Sequence, residues 1–332
     1  MPKYHIITYG CQMNKADSER IATGLEKRGY KPATSAKEAD LVVVNMCSVR
    51  QSAVDRVFGM PMKLRGVKAK KVLTGCVLKK DRKKFEMLFD EIWDSRSLAK
   101  IMPGCQNKPL AYVPISNGCD NFCAYCVVPF TRGRLRCYPH QKILEETRRL
   151  VKEGSKEIWF LGQNVNDYHS PNDKSINFAK LLKMASDLPG DFSLRFMSPH
   201  PKNFTAELIE TMARSSKIAK YLNLPVQSGD DTILKRMKRN YTVKQYQDLV
   251  ARIRKKMPGI NLSTDAIVGF PGETKKQFEN TVKLFKEIGF DIAYIAKYSP
   301  RAGTASFQMK DDISREEKIR RKKALSKLTK HV

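Results

Sequence analysis

The chain has 332 residues, 41% hydrophobic and 29% charged, a soluble globular composition that as a soft prior means about two domains. No apolar run approaches the roughly 20 residues of a membrane span, and the start MPKYHIITYG lacks a signal-peptide h-region and cleavage site, so a cytoplasmic protein is expected. The 62 Lys and Arg outnumber the 34 Asp and Glu by +28, with +11 in residues 1–108 and +17 beyond, a surplus that favours a polyanionic partner through counterion release.

From Tyr4 to Tyr9 a β-prone run ends at Gly10 and Cys11. Ala16 to Arg28, with Ile21 and Leu25 four apart among charges, predicts an amphipathic helix. DLVVVN then reads as a buried strand ending at Met46 and Cys47. A helical stretch through Val54 and Val57 leads to KKVLTG, a further apolar strand that runs into Cys76. The same unit thus occurs three times: a strand, a Cys at its C-terminal end, a helix or loop. In an open parallel α/β sheet ligands bind outside the carboxyl ends of the strands, so Cys11, Cys47 and Cys76 are expected to meet as one three-thiolate site. Three separately buried cysteines are the plain alternative. Asn14 and Asn45 either shape that pocket by hydrogen bonds or simply form turns.

Ser95 to Pro109 mixes Gly, Pro and polar residues and reads as a linker; Cys105 within it matches no motif. AYVPIS is a strand entering a cysteine-rich loop. Then come a helix at Gln141–Glu153, the strand EIWFLG, a helix at Ile176–Ser186, the strands FSLRFMS, YLNLPV, LSTDAIVG and DIAYIAKYS, and helices near Ala206–Met212, Val243–Met257 and Lys275–Ile288. About six β–α units predict a parallel barrel or part of one, with chemistry at the C-terminal strand ends. The expected fold class is α/β: an open parallel-sheet domain at 1–104, a partial (β/α)6 TIM-like barrel at 105–314, and a basic helix at 315–332.

The stretch NGCDNFCAYCVVPFTRG, Asn117 to Gly133, carries Cys119, Cys123 and Cys126 as C-x3-C-x2-C. Three thiolates on one short loop suit a soft metal centre. Zinc would need a fourth ligand at matching spacing, and neither Cys137 nor His140 belongs to such a pair. Three cysteines on a cubane iron–sulfur cluster would leave one iron open to a substrate or cofactor. Eight cysteines in a chain expected to be cytoplasmic read as metal ligands or reactive thiols rather than a disulfide framework.

With the aromatic Tyr125 just before the third cysteine, this motif resembles the radical S-adenosylmethionine (SAM) superfamily. The longer string VVPFTRG, together with TYGCQMN, VVNMCSVR and TGC, resembles the methylthiotransferases, above all the MiaB-type tRNA enzymes; the strings cover nearly the whole chain. The resemblance implies two 4Fe–4S clusters. One, on Cys119, Cys123 and Cys126, binds SAM and cleaves it to a 5′-deoxyadenosyl radical. The other, on Cys11, Cys47 and Cys76, carries or delivers the inserted sulfur. It also implies SAM contacts at Gly162, Gln163 and Asn164 of GQNVNDY and at backbone near Ile267 and Gly269 of TDAIVGFPGET, with Tyr125 beside the cofactor; Gln227 and Ser228 of LPVQSG, at a strand end, are placed to bond a ribose hydroxyl of the cofactor or the substrate base. Glu273 in the last string could as easily begin the following helix. His200 of SPHP is a weak catalytic candidate or a loop brace, and Arg301 of YSPRAGT belongs near the barrel mouth.

Residues 315–332, REEKIRRKKALSKLTKHV, form a helix with a net charge of +6, read as a phosphate contact, a solvated surface helix or the stub of a linker. The family usually continues into a small all-β TRAM domain that binds RNA, and here the expectation is that this domain is absent. The implied activity is radical SAM tRNA methylthiotransfer, placing sulfur and a methyl group at C2 of N6-isopentenyladenosine next to the anticodon. Alternatives are N6-threonylcarbamoyladenosine in tRNA, an Asp of a small-subunit ribosomal protein, or a non-enzymatic Fe–S RNA-binding protein. Expected partners are tRNA, a reduced flavodoxin- or ferredoxin-type electron donor and a sulfur donor of unknown kind, with the protein a monomer that meets no membrane.

Overall fold

The computed structural model describes residues 1–49, 51–94 and 109–329; most of the expected linker, with Cys105, lies outside them. The first unit runs β1 (Lys3–Thr8), α1 (Gln12–Glu26), β2 (Lys31–Pro32), β3 (Leu41–Met46), α2 (Gln51–Phe58), α3 (Met60–Lys63), β4 (Lys70–Gly75), α4 (Lys79–Glu86) and β5 (Glu91–Ile92). All pairs are parallel, in the order β2-β1-β3-β4-β5. The central strand β3 has every residue buried, as a sheet covered on both faces requires. Its side chains alternate. Val42, Val44 and Met46 pack with Val54, Val57 and Phe85, whereas Leu41 and Val43 pack with Ile21, Ala22 and Leu25 of α1.

The register sets the functional edge. Thr8 pairs with Asn45, Asn45 with Thr74 and Met46 with Gly75, so β1, β3 and β4 finish level and release Cys11, Cys47 and Cys76 at the same rim. The strand order reverses between β1 and β3, which is where a doubly wound sheet opens its crevice.

The second unit contains β6 (Leu110–Pro114), β7 (Ser116–Asn117), α5 (Val128–Thr131), β8 (Arg136–Cys137), α6 (His140–Lys152), β9 (Glu157–Leu161), α7 (Phe178–Ser186), β10 (Ser193–Phe196), α8 (Ala206–Arg214), β11 (Tyr221–Asn223), α9 (Asp231–Arg236), α10 (Val243–Lys256), β12 (Asn261–Val268), α11 (Lys275–Ile288), β13 (Ile292–Lys297) and α12 (Arg315–Ser326). Two parallel ladders, β6-β9-β10 and β11-β12-β13, are joined by the parallel bridge between Leu194 and Ile218. The result is a six-stranded arc. Among the described residues no ladder joins β6 to β13, so this is the partial barrel that the β–α count predicts. The antiparallel pair β7–β8 stands outside it and holds the base of the cysteine loop.

The first unit docks through α1, whose Met13 and Ala16 pack with Leu161, Tyr112, Trp159 and Met197. Helix α12 is seated on the barrel rather than solvated on every side. Leu325 is fully buried in the barrel core, Arg321 pairs with Glu273 at 2.7 Å, and Lys318 is buried against Asp311 and the Tyr298 ring. Three of its residues are thus spent on packing, and the remaining basic side chains form an outer face. No helix of the described residues is long and apolar enough to cross a membrane.

Candidate active site

Each cysteine of the first triplet is placed by its own turn. Cys11 is the N-cap residue of α1, its N–H donating to Asn14 Oδ1 at 3.3 Å and its thiol to the same oxygen at 3.5 Å. Asn14 Nδ2 in turn donates to Asn45 Oδ1 (2.9 Å) and to the Met46 carbonyl (3.0 Å), and Asn45 Nδ2 donates back to the Asn14 carbonyl (2.8 Å) and to Ser18 Oγ (3.0 Å). Both side chains are fully buried. They tie the Cys11 turn to the Cys47 turn and are pocket builders, not turn formers. Gly75 completes the rim at φ +95°, where a Cβ would sit 2.4 Å from both Asn45 Oδ1 and the Met46 carbonyl; only glycine lets β4 deliver Cys76 this close. Ser48 Oγ donates to the Cys76 carbonyl, and the Val49 N–H donates to Cys47 Sγ at 3.4 Å.

The second triplet sits on the loop between β7 and α5. Gly118, at φ +84°, lies so close to Gly133 and Arg134 that a Cβ would meet their carbonyl oxygens at 2.6 and 2.2 Å. Its N–H donates to Gln163 Oε1 at 2.6 Å, which ties the loop to the strand end after β9. Phe122 adopts φ +45° between Cys119 and Cys123, a strained turn for an aromatic residue. Tyr125 packs with Ala124, Ile233, Met237, Ile267, Phe270 and Tyr298, so the cysteine loop and the β12 end share one apolar cluster.

Two guanidinium groups, neither given a role by the sequence reading, reach the sulfurs. Arg132, at the end of α5 and 4% exposed, crosses to the first unit: Nε donates to Cys76 Sγ at 3.2 Å, Nη2 to Asp17 Oδ2 at 2.7 Å and Nη1 to Asn117 Oδ1 at 3.1 Å. Arg239, after α9 and also buried, donates from Nη1 to Cys123 Sγ at 3.6 Å, from Nη2 to the Pro225 carbonyl at 3.1 Å and from Nε to Tyr241 Oη at 3.0 Å. Arg132 lies in the string VVPFTRG, but its reach across the domain boundary leaves no mark in sequence. Arg239 sits in the basic run KRMKRNY, where nothing local marks it as buried. Arg301 also crosses, donating to Gln51 Oε1 of α2 at 2.6 Å.

The other candidates divide into committed and open groups. Ser228 is fully buried and bonds Thr281 Oγ1 and the Asp230 N–H. Glu273 accepts from the Gly269 N–H at 2.7 Å and pairs with Arg321. His200 is buried, its Nδ1 accepting the Lys202 N–H at 3.2 Å; burial, then the Arg239 charge, pulls its pKa down to about 3, so it is a neutral brace. By contrast Asn164 Oδ1, Gln227 Oε1 and Ser116 Oγ are buried with no partner. Gln227 also holds φ +71°, strain of the kind that gathers at ligand sites. Gly162 passes so near Ser116 that a Cβ would lie 2.6 Å from its Oγ.

These features fit the implied cofactors. Buried acceptors without donors suit a ligand that brings an amino group and ribose hydroxyls, as SAM does. Burial, then the neighbouring Cys76, pushes the Cys47 thiol up to about 12, and burial, then Cys123, does the same to Cys126; a bound metal centre reverses that preference by taking the thiolate outright. Among the described residues no three His, Cys, Asp or Glu side chains converge closely enough to hold a single metal ion. A cluster asks for less convergence, because each cysteine serves a different iron. A cleft of about 600 Å³ opens between the turn that carries Cys76 and α5, lined by Gly75 and Val77, the basic Lys79, Lys80 and Arg82, and Pro129 and Phe130.

Two family models match separate stretches of the chain. It matches the Radical SAM superfamily over residues 113–285 and the Uncharacterized protein family UPF0004 over residues 3–93. It is 39% identical over 363 residues to tRNA-2-methylthio-N(6)-dimethylallyladenosine synthase of Thermotoga petrophila, an alignment covering 99% of this chain and 82% of the relative. The protein of the same name from Dehalococcoides mccartyi is 43% identical over 347 residues, covering 99% and 83%. Among solved structures, the radical S-adenosylmethionine methyltransferase TsrM of Kitasatospora setae, with cobalamin and a 4Fe–4S cluster bound, superposes with a TM-score of 0.67 at 14% identity, over 92% of this chain and 77% of that one. The cobalamin-dependent S-adenosylmethionine radical enzyme OxsB gives 0.61 at 12% identity, over 98% and 56%. Both are likenesses of fold.

Proposed function

Because the chain belongs to the radical SAM superfamily and to the family of tRNA-2-methylthio-N(6)-dimethylallyladenosine synthases, we propose that it places sulfur and a methyl group at C2 of N6-isopentenyladenosine beside the tRNA anticodon. Its cofactors are SAM and 4Fe–4S clusters. Two three-cysteine sites in one chain, with Arg132 of one unit on Cys76 of the other at 3.2 Å, support this reading more than any single motif does. C2 of adenine has no acidic proton, so acid–base catalysis has no handle on it, and the hard step falls to a cofactor. When bound, SAM on the cluster of the barrel loop supplies a carbon-centred radical and a methyl group, and the second cluster supplies sulfur.

The residues then have separate tasks. We assign Cys119, Cys123 and Cys126 to the SAM-binding cluster and Cys11, Cys47 and Cys76 to the auxiliary one. Asn164, Gln227 and Ser116 offer the free acceptors that orient SAM. Gln163 holds the cysteine loop through Gly118, and Ile267 and Tyr125 wall the pocket. The cleft takes the anticodon loop, with Lys79, Lys80 and Arg82 near phosphates and the 44%-exposed Phe130 as a surface on which an unpaired base stacks. Division at 104/105 and 314/315 goes with this reading, as do a reduced flavodoxin- or ferredoxin-type donor, a cytoplasmic setting and a monomeric enzyme.

Mass spectrometry of tRNA nucleosides from cells with and without the gene tests it. Loss of the methylthio group from isopentenyladenosine alone is the expected result. Loss confined to threonylcarbamoyladenosine, or to a ribosomal-protein Asp with tRNA unchanged, would replace this substrate by that one. No change in any of them would leave a non-enzymatic Fe–S protein.

A further inference from the structure

Arg132 touches the supports of both cysteine sites. It stands six residues after Cys126, bonds Asn117 two residues before Cys119, and ends on Cys76 Sγ in the other unit. It is 4% exposed, so these contacts are made out of water. Its charge is balanced by Asp17 at 2.7 Å, itself buried on the first turns of α1 and within 3.7 Å of Arg20. A lone buried guanidinium would be costly; one paired with a carboxylate on one side and facing a thiolate on the other is not. An N–H···S contact to a cluster ligand, and a buried positive charge beside it, both stabilise the more negative, reduced form of the cluster.

We propose that Arg132 is the positioning and redox-tuning residue of the Cys11–Cys47–Cys76 site: the barrel sets the potential of the auxiliary centre through its N–H···S bond to Cys76. The proposal rests on the reading above that those cysteines hold a cluster. It gives the contact between the two units a chemical purpose. The auxiliary centre reaches its working potential only when the barrel loop that holds the other cluster is seated against it.

The test uses full-length protein in which Cys119, Cys123 and Cys126 are all replaced by Ala, so that only the auxiliary site can take a cluster. After anaerobic reconstitution, iron and sulfide are counted and the cluster is titrated with dithionite and mediators, followed by electron paramagnetic resonance. Arg132→Gln is expected to move the reduction equilibrium about tenfold toward the oxidised form, about 59 mV lower for one electron. Asp17→Asn, which leaves Arg132 on Cys76 with its charge unbalanced, is expected to move it the opposite way. Arg132→Lys keeps the charge but not the forked geometry and should fall between wild type and Gln. A purely structural role would shift both single variants in the same direction or neither, and that result overturns the proposal. Failure of the triple-Ala parent to bind iron would instead overturn the cluster reading itself, and this inference with it.

Discussion

The two cysteine sites use the same device with different partners. In each, a guanidinium that is almost fully buried donates to one of the three sulfurs: Arg132 to Cys76 and Arg239 to Cys123. Arg132 has a carboxylate partner in Asp17. Arg239 leans on a carbonyl, a phenol and the sulfur, and among the described residues no carboxylate pairs with it. Asp17 is shared with the buried Arg20, 3.7 Å away, so the first site sets two guanidinium groups against one carboxylate. At the barrel site the Arg239 charge is met by the sulfur and two neutral oxygens. The scaffolds differ as well. Three level strand ends locked by Asn14 and Asn45 hold the first triplet, whereas a single strained loop, pinned by Gly118 and Gln163, holds the second.

The largest separation between the sites should come from removing one ligand at a time. Cys123→Ala is expected to abolish SAM cleavage and with it all product. Cys47→Ala should leave uncoupled SAM cleavage and no thiolated nucleoside. Measuring 5′-deoxyadenosine beside modified tRNA distinguishes the two, and undiminished product from the Cys47 variant would break the two-site scheme.

Next in size are the glycines that precede Cys76 and Cys119. Both hold positive φ against backbone oxygens, so an added methyl brings left-handed strain of about 1–3 kcal/mol plus a clash. Gly75→Ala should roughly halve the iron content while SAM cleavage persists; Gly118→Ala should halve it and stop cleavage. Gly29→Ala, also at positive φ (+84°) but with nothing within 4 Å, is the control for strain alone and should bind iron normally.

Much of this was legible in the sequence, and what was not has a common cause. Lys70–Gly75 and Lys275–Ile288 have the ends that the hydrophobic pattern predicts, because an apolar run bounded by turn formers leaves little choice. The release of Cys11, Cys47 and Cys76 at one rim followed from three strands with one direction. Helix α4 was missed because KKDRKKFE offers only Phe85 as an apolar anchor. The reach of Arg132, the burial of Arg239 and the seat of α12 were missed for another reason. Each is a long cation whose partner lies 48 to 116 residues away, and no local pattern distinguishes a buried guanidinium from a solvated one. Ser228 shows the converse, since a hydroxyl at a strand end looks available until Thr281 is seen to occupy it.

A smaller effect probes how the two scaffolds hold. Asn45→Ala strips the donors and acceptors that Asn14 and Ser18 rely on inside the protein. Leaving such groups unsatisfied costs about 1–3 kcal/mol, read as a lowered urea midpoint. Gln163→Ala removes one hydrogen bond, to the Gly118 N–H, and should cost about 1 kcal/mol. Equal losses would mean that the barrel loop is locked as firmly as the strand ends.

The smallest effect is confined to the barrel side and depends on pH. The His200 ring lies 5.6 Å from that of Tyr241, centroid to centroid, and Tyr241 accepts from Arg239. Protonating His200 would set a second cation beside a guanidinium that already lacks a carboxylate, and its folded pKa is held down to about 3, first by burial and then by Arg239. In the unfolded chain the ring titrates near 6.5. Above that pH neither state is charged and the native stability is complete. Below it the unfolded state takes up a proton that the folded state refuses, so stability is lost progressively as pH falls from about 6.5 toward 3. At pH 6 the loss is about 0.8 kcal/mol. His200→Gln, which can still accept the Lys202 N–H, should lack this slope, so anaerobic urea midpoints at pH 8 and pH 6 should converge between variant and wild type by that amount. Parallel slopes in the variant and the wild type would mean that His200 takes up its proton in the folded barrel site as readily as in the unfolded chain.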